Sequence, residues 1–190
     1  MTSPASIRDV IVRPIREEEW EAYREIRLRA LMSDPLAFGS TYAREVALAP
    51  EKWRERIRPS TNPPKSATWV ALERTEKFVG TIAVVDIEQA LHVFAMWVEP
   101  RFRRKGVGGT LLDAALAWVD DVLQGRPVTL EVNPRQVDAV RLYESRGFRG
   151  TGKTSPLGHT PGERVVEMVR AAVGKSASCR QASGRRSDPW

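Results

Sequence analysis

Apolar residues recur along this chain with two periods, and they divide it into alternating strands and helices. Val10 to Val12 and Ile15 predict a first strand near residues 8–14. Trp20, Tyr23, Ile26 and Ala30 then follow at spacings of three and four, the period of a helix face, and Asp34-Pro35 ends that helix because the residue before a proline avoids helical dihedrals. Residues 36–49 read as a loop carrying Phe38 and Tyr42. Ala49-Pro50 opens a short helix around Trp53 to Ile57, with proline in the first turn, where its missing N–H costs nothing. Residues 59–66 are a surface loop. Three apolar runs at 67–73, 77–87 and 90–99, separated by short polar connections, predict antiparallel hairpins. A helix over 107–122 aligns Leu111, Leu112, Ala115, Leu116 and Val119, and Gly125 and Pro127 punctuate its end. Val128–Val132 is a short buried strand. The strand–helix–strand order makes it parallel to the run at 90–99. A helix over 134–146 stops at Gly147, and strands near 148–153 and 163–171 complete the pattern. The fold class is α/β (α+β): a mixed, twisted sheet of about seven strands flanked by about four helices.

Composition narrows this picture. The chain has 190 residues, 42% hydrophobic and 28% charged, as expected of one globular domain with a full core. The net charge of +6 suggests an anionic partner, but Lys175, Arg180, Arg185 and Arg186 against Asp188 put half of that excess in the last twenty residues. That Ser/Gly/Arg-rich tail has too few apolar residues to offset its ordering entropy. The domain is therefore expected over residues 1–172, with a disordered basic tail over 173–190. The tail and an Arg-rich surface are what favour RNA, and a basic RNA-binding module is the lesser reading. Cys179, the single cysteine, allows no intrachain disulfide, and His92 and His159 are too few for a histidine zinc site, so no metal is expected. No signal-peptide pattern and no apolar run of membrane-spanning length occur, so the expected location is cytoplasmic, with no membrane partner.

The candidate chemistry lies at residues 103–112, Arg-Arg-Lys-Gly-Val-Gly-Gly-Thr-Leu-Leu. A strand stops at Glu99-Pro100, a cationic glycine loop follows, and a helix begins, an order that converges backbone N–H groups and a helix N-terminus on one anion. Three phosphate motifs compete for this chain. Gly-Val-Gly-Gly-Thr-Leu from Gly106 lacks the third glycine of a dinucleotide fingerprint. Gly147-Phe-Arg-Gly-Thr-Gly-Lys-Thr154 matches a Walker A string, but it follows a helix and precedes Ser155-Pro156, so it reads as a helix cap, a strand and a turn. The third is Arg103-x-x-Gly106-x-Gly108.

With that third motif the chain resembles the GNAT superfamily of acetyl-CoA-dependent N-acetyltransferases, whose pyrophosphate loop is [Q/R]-x-x-G-x-[G/A]. Val98-Glu99-Pro100-Arg101-Phe102-Arg103 is similar to the family's lead-in. Ala139-Val-Arg-Leu-Tyr-Glu-Ser-Arg-Gly-Phe148 is similar to its A-x-x-L-Y-x-x-x-G-F segment. The resemblance spans residues 8–171. It implies that the parallel strands at 90–99 and 128–132 splay apart to hold the donor, acetyl-CoA, and that an acetyl group passes directly to a primary amine in a ternary complex. Backbone groups of Arg104, Lys105, Gly106, Val107, Gly108 and Gly109 would cradle the pyrophosphate, with charge from Arg101, Arg103, Arg104 and Lys105. Backbone groups of Met96 and Val98 would contact the acyl arm. Where the family often carries Asn, this chain has Gln136, which takes the place of that cofactor contact.

Gln136, Ala139, Val140 and Tyr143 share one helix face. Tyr143 is the candidate general acid for the departing thiolate. Some relatives place their base at the position of His92, and alternation puts 92, 94, 96 and 98 on one strand face. Glu99 and Glu131 are the alternative bases. His159 lies in a Pro/Gly-rich loop that borders the acceptor in related proteins, and Phe38, Tyr42 and Trp97 are candidates either for the acceptor pocket or for the core. The acceptor is an amine of unspecified identity, and the protein a monomer or homodimer. A catalytically silent acyl-CoA sensor is the alternative that keeps the loop and loses the chemistry.

Overall fold

The computed structural model describes residues 10–58, 65–87 and 90–172. Most of the loop expected at 59–66, the tail expected at 173–190 and the first residues of the expected first strand lie outside them.

Seven strands form one sheet: β1 (Val10–Pro14), β2 (Ser66–Glu73), β3 (Phe78–Ile87), β4 (Ala90–Val98), β5 (Val128–Val132), β6 (Arg149–Pro156) and β7 (Arg164–Arg170), in the order β1-β2-β3-β4-β5-β7-β6. All neighbours are antiparallel except β4 and β5. That exception follows from the crossover helix α4 (Val107–Val122), which buries Leu111, Leu112, Ala115, Leu116 and Val119 against one sheet face together with Ile82, Leu91, Val93, Val98 and Leu130. The opposite face is covered over its first strands by α1 (Trp20–Ser33) and α3 (Pro50–Ile57), which enclose Tyr23, Ile26, Trp53, Val70, Phe78 and Trp97.

Three local departures from the sequence expectations bear on function. Residues 42–46, expected in a loop, form a short helix α2 (Tyr42–Val46), capped by the Thr41 hydroxyl, which accepts from the Arg44 N–H at 3.3 Å. Its Glu45 is buried between Arg27 (2.8 and 3.1 Å) and Arg56 (2.7 Å), so the helix is docked by charge rather than by an apolar stripe. The last helix, α5 (Val137–Ser145), starts three residues later than expected. Asn133 makes a turn in which its side chain accepts from the Arg135 N–H at 3.0 Å, and Gln136 becomes the N-cap. Gly147 ends α5 at φ +87°, and the Walker-like string then runs on as the edge strand β6, with no helix after it.

The third departure is in β4. Between Thr81↔Trp97 and Ala83↔Phe94 the strand carries one extra residue, a β-bulge at Ala95, whose φ is +53°. The bulge resets the alternation. Met96 and Val98 join Leu91 and Val93 on the α4 side, while Trp97 turns to the α1 side. The expected shared face of 92, 94, 96 and 98 is thereby corrected: His92 and Phe94 lie on the face opposite Met96 and Val98.

Candidate active site

β4 and β5 are paired only at Leu91↔Val128 and His92↔Thr129. Beyond that rung the two strands have no registered partners, so the sheet opens into a wedge. Its mouth lies toward the loop after β4 and the turn after β5. The β4 side of the wedge begins at the Ala95 bulge, where the ladder to β3 is also interrupted.

The loop at the mouth begins with the one-turn 3₁₀ segment Pro100–Phe102, whose Phe102 is buried. Arg104 (φ +59°) and Gly106 (φ +87°) both adopt left-handed dihedrals, and Gly106 is the N-cap of α4. Such a conformation turns successive N–H groups inward, and the helix N-terminus adds its partial positive charge. Gly108 sits where a Cβ would lie 3.3 Å from both Leu142 Cδ2 and Met96 Cε. Gly108 is thus required by the close packing of α4 on Leu142 of α5 and Met96 of β4, whereas the exposed, left-handed Gly106 leaves backbone without a Cβ at the N-cap of α4, where an anion can approach closely. Gly109 has a different reason. A Cβ there would meet the Arg146 guanidinium at 2.8 Å, and Arg146 bridges α5 to Asp113 of α4 at 3.0 and 3.1 Å.

The cations of this loop are not equivalent. Arg103 donates from Nε to the Val98 carbonyl at 2.8 Å and from both terminal nitrogens to Asp34, at 2.5 and 3.2 Å. Lys105 donates to the Arg101 carbonyl at 2.6 Å, and Arg101 pairs with Glu73 at 3.0 Å. Arg104 is exposed and, among the described residues, makes no ion pair. In the sequence Asp34 reads only as a helix end. Its carboxylate also accepts from the Trp97 indole at 2.8 Å and the Ser33 hydroxyl at 2.5 Å. Burial would raise its pKa, but these donors outweigh it and hold the group below the ordinary carboxylate value. A cavity of about 290 Å³ runs from Asp34 and Leu36 to Asn133, Arg135 and Gln136, joining the end of α1 to the turn after β5.

Tyr143 is buried in α5, edge-to-face with Phe148 at 5.9 Å between ring centroids. Burial pushes its phenol well above the usual tyrosine value, so it stays protonated. His92 lies at the apex of the wedge, its Nδ1 2.7 Å from the Thr129 hydroxyl, which is 3.2 Å from the Leu91 carbonyl. Glu131 lies two residues further along β5 and accepts from the Ser155 hydroxyl at 2.6 Å. Glu99 is tied to Arg29, which also donates to the Phe78 carbonyl at 2.7 Å. Phe38 and Trp97 are core residues, whereas Tyr42 is partly exposed. His159 is more than a surface loop residue: its Nε2 lies 2.6 Å from the Phe38 carbonyl, so the β6–β7 hairpin is fastened to the segment after α1. Among the described residues no helix is long and apolar enough to cross a membrane, and no group of three or more His, Cys, Asp and Glu could hold a metal ion.

Known proteins share this arrangement. By sequence, human N-acetyltransferase 8B is 29% identical over 147 residues, covering 74% of this chain and 54% of the relative. The peptidyl-lysine N-acetyltransferase YjaB of Escherichia coli is 29% identical over 91 residues, 48% of this chain and 55% of the relative. The chain thus spans about half the length of the curated relatives it matches. Among solved structures, a GNAT-family acetyltransferase from Streptococcus pneumoniae superposes with a TM-score of 0.73 at 18% identity, over 86% of this chain and 99% of that one. The spermidine N-acetyltransferase of Vibrio cholerae, in complex with CoA and spermine, superposes with a TM-score of 0.65 at 17% identity, over 85% and 95%. These likenesses show the common fold. The sequence profile of the acetyltransferase (GNAT) family matches residues 13–148, which include the glycine loop, the wedge and the Tyr143 helix, and the chain belongs to that family.

Proposed function

We propose that this protein is an acetyl-CoA-dependent N-acetyltransferase that moves an acetyl group to a primary amine in a ternary complex. The observation that carries the reading is the wedge between β4 and β5, closed at His92↔Thr129 and opening toward the glycine loop whose left-handed Gly106 caps α4. Acetyl-CoA, when bound, supplies an acetyl group activated as a thioester.

The residues of the chain divide the work. N–H groups from Arg104 to Gly109, with the Arg104 charge, hold the pyrophosphate. The backbone of Met96 and Val98 lines the acyl arm, and an N–H beside the bulge polarises the carbonyl as negative charge develops on its oxygen. Gln136, at the N-cap of α5 and in the wall of the cavity at the wedge mouth, reaches the same arm. Tyr143 keeps its proton until sulfur leaves and then donates to it.

His92 accepts the proton of the amine, directly or through water. When the Thr129 hydroxyl donates to the Leu91 carbonyl, its oxygen accepts from Nδ1–H, and Nε2 is left with a free lone pair. Glu131, on the same face of β5 as Thr129, is the alternative base, and Glu99 would first have to leave Arg29. The neutral amine nitrogen bonds to the acetyl carbon and gives one proton to the base, the C–S bond breaks, and the departing sulfur takes the Tyr143 proton, which solvent replaces as the base releases its own.

An amine acceptor agrees with relatives whose names specify peptidyl lysine and spermidine. The test is incubation with acetyl-CoA and a mixed panel of polyamines, lysine peptides and small amines, read by mass spectrometry. Products heavier by one acetyl group, with stoichiometric free CoA, support the reading. Tight CoA binding with no product would leave the acyl-CoA sensor instead.

A further inference from the structure

Asp34 and Arg103 lie 69 residues apart in sequence, and their side chains meet at the mouth of the wedge. Arg103 is the first residue of the glycine loop. Its Nε holds the carbonyl of Val98, the last residue of β4, and its two terminal nitrogens hold Asp34. The same carboxylate takes the indole N–H of Trp97. One carboxylate at the end of α1 therefore ties the loop, the end of β4 and α1 together. The loop that follows contains two left-handed residues, Arg104 and Gly106, and only the latter is free of a Cβ penalty. A conformation of that kind persists where its surroundings over-determine it.

We infer that Asp34 is a positioning residue for the cofactor loop: by fixing Arg103 against Trp97 and the end of β4, it sets the N–H groups from Arg104 to Gly109 in convergence before an anion arrives. Arg103 acts through this contact and not as a phosphate ligand. The functional half of this inference rests on the reading of the loop as the acetyl-CoA site. The benefit is preorganisation, since a loop already held in its binding shape loses less entropy on binding.

The test uses Asp34→Asn, Arg103→Gln and the double variant of the whole chain. Amide hydrogen exchange is followed across residues 103–109, across Leu111–Val119 and across β2 and β3. The expected result for each single variant is faster exchange confined to 103–109, a shifted Trp97 indole resonance in Arg103→Gln, and CoA binding weaker by about tenfold, the scale of one charged hydrogen bond. KM for acetyl-CoA rises with it while KM for the amine holds. The double variant binds about as weakly as Arg103→Gln alone, because that variant has already broken the Asp34–Arg103 pair.

Unchanged loop exchange overturns the inference. So does tighter CoA binding in Asp34→Asn, which would mean that Arg103 is a phosphate ligand restrained by Asp34. Faster exchange throughout the domain would show a general structural role and also overturn it. Failure of the unaltered protein to bind CoA would overturn the acetyl-CoA reading, while loop exchange still decides whether Asp34 holds the loop.

Discussion

His92 and Thr129 form the last rung at which β4 and β5 still pair, and their side chains meet there at 2.7 Å. The contact fixes the imidazole at the apex of the wedge. It follows that His92→Ala should lower kcat by roughly 10²–10³. Thr129→Val should lower it less, by loss of ring orientation. Turnover of His92→Ala equal to that of the unaltered protein would return the role to Glu131 or to water.

Tyr143→Phe removes a hydroxyl and keeps the ring that packs on Phe148. Turnover should fall by roughly 10²-fold while CoA affinity changes less than threefold, the pattern of a group acting mainly as the leaving sulfur departs. Steady-state kinetics beside calorimetric CoA binding separates the two quantities.

The cradle makes two distinct predictions. Gly108→Asp adds a side chain where a Cβ would meet Leu142 and Met96 at 3.3 Å, and on the proposed function it puts negative charge next to the pyrophosphate site. CoA affinity should fall by more than about 30-fold, or roughly 2 kcal/mol. Arg104→Ala should cost less, about three- to tenfold, and should flatten the salt dependence of CoA binding, since its exposed charge acts largely through solvent. Equal affinity in both folded variants would remove the loop from the donor site.

Acid should weaken the α1–α2 corner. Burial would raise the Glu45 carboxyl, but Arg27 and then Arg56 outweigh it and hold the group at about 2. In the unfolded chain it titrates at its ordinary value near 4.5. The ion cluster therefore stabilises fully above about pH 4.5, and on the order of 3 kcal/mol is lost as pH falls toward 2. Glu45→Gln should remove that slope from urea denaturation across pH 5 to 2. It should also cost about 3–5 kcal/mol at neutral pH by leaving Arg27 buried without its carboxylate.

The long periodic elements were legible because their apolar residues carry the signal. Six strands and α4 are marked by apolar runs or a period of 3.6, and the glycine loop is visible from its composition; β6, Arg149–Pro156, has no apolar alternation and is expected only as the strand that follows Gly147 and completes the sheet. What escaped is held by polar contacts across long sequence separations. α2 has no apolar stripe, since its buried anchor is a glutamate whose partners lie 18 and 11 residues away. Asp34 looked like a helix stop, and its partners at Trp97 and Arg103 left no local trace. The bulge in β4 sits at an alanine rather than a glycine, so strict alternation assigned Met96 and Val98 to the wrong face. His159 reads as loop surface until its contact with Phe38, 121 residues away, is seen.

That single extra residue at Ala95 gives one strand two independent clients. On one side, Met96 and Val98 pack with the α4 cluster; on the other, His92 and the exposed Phe94 lie away from it, while Trp97 is buried under α1 and bonded to Asp34. Phe94 can therefore be exchanged without touching either the Met96–Gly108 packing or the Trp97–Asp34 bond. On the proposed function, the choice of amine can be retuned there while KM for acetyl-CoA stays constant, and a library randomised at Phe94 tests it.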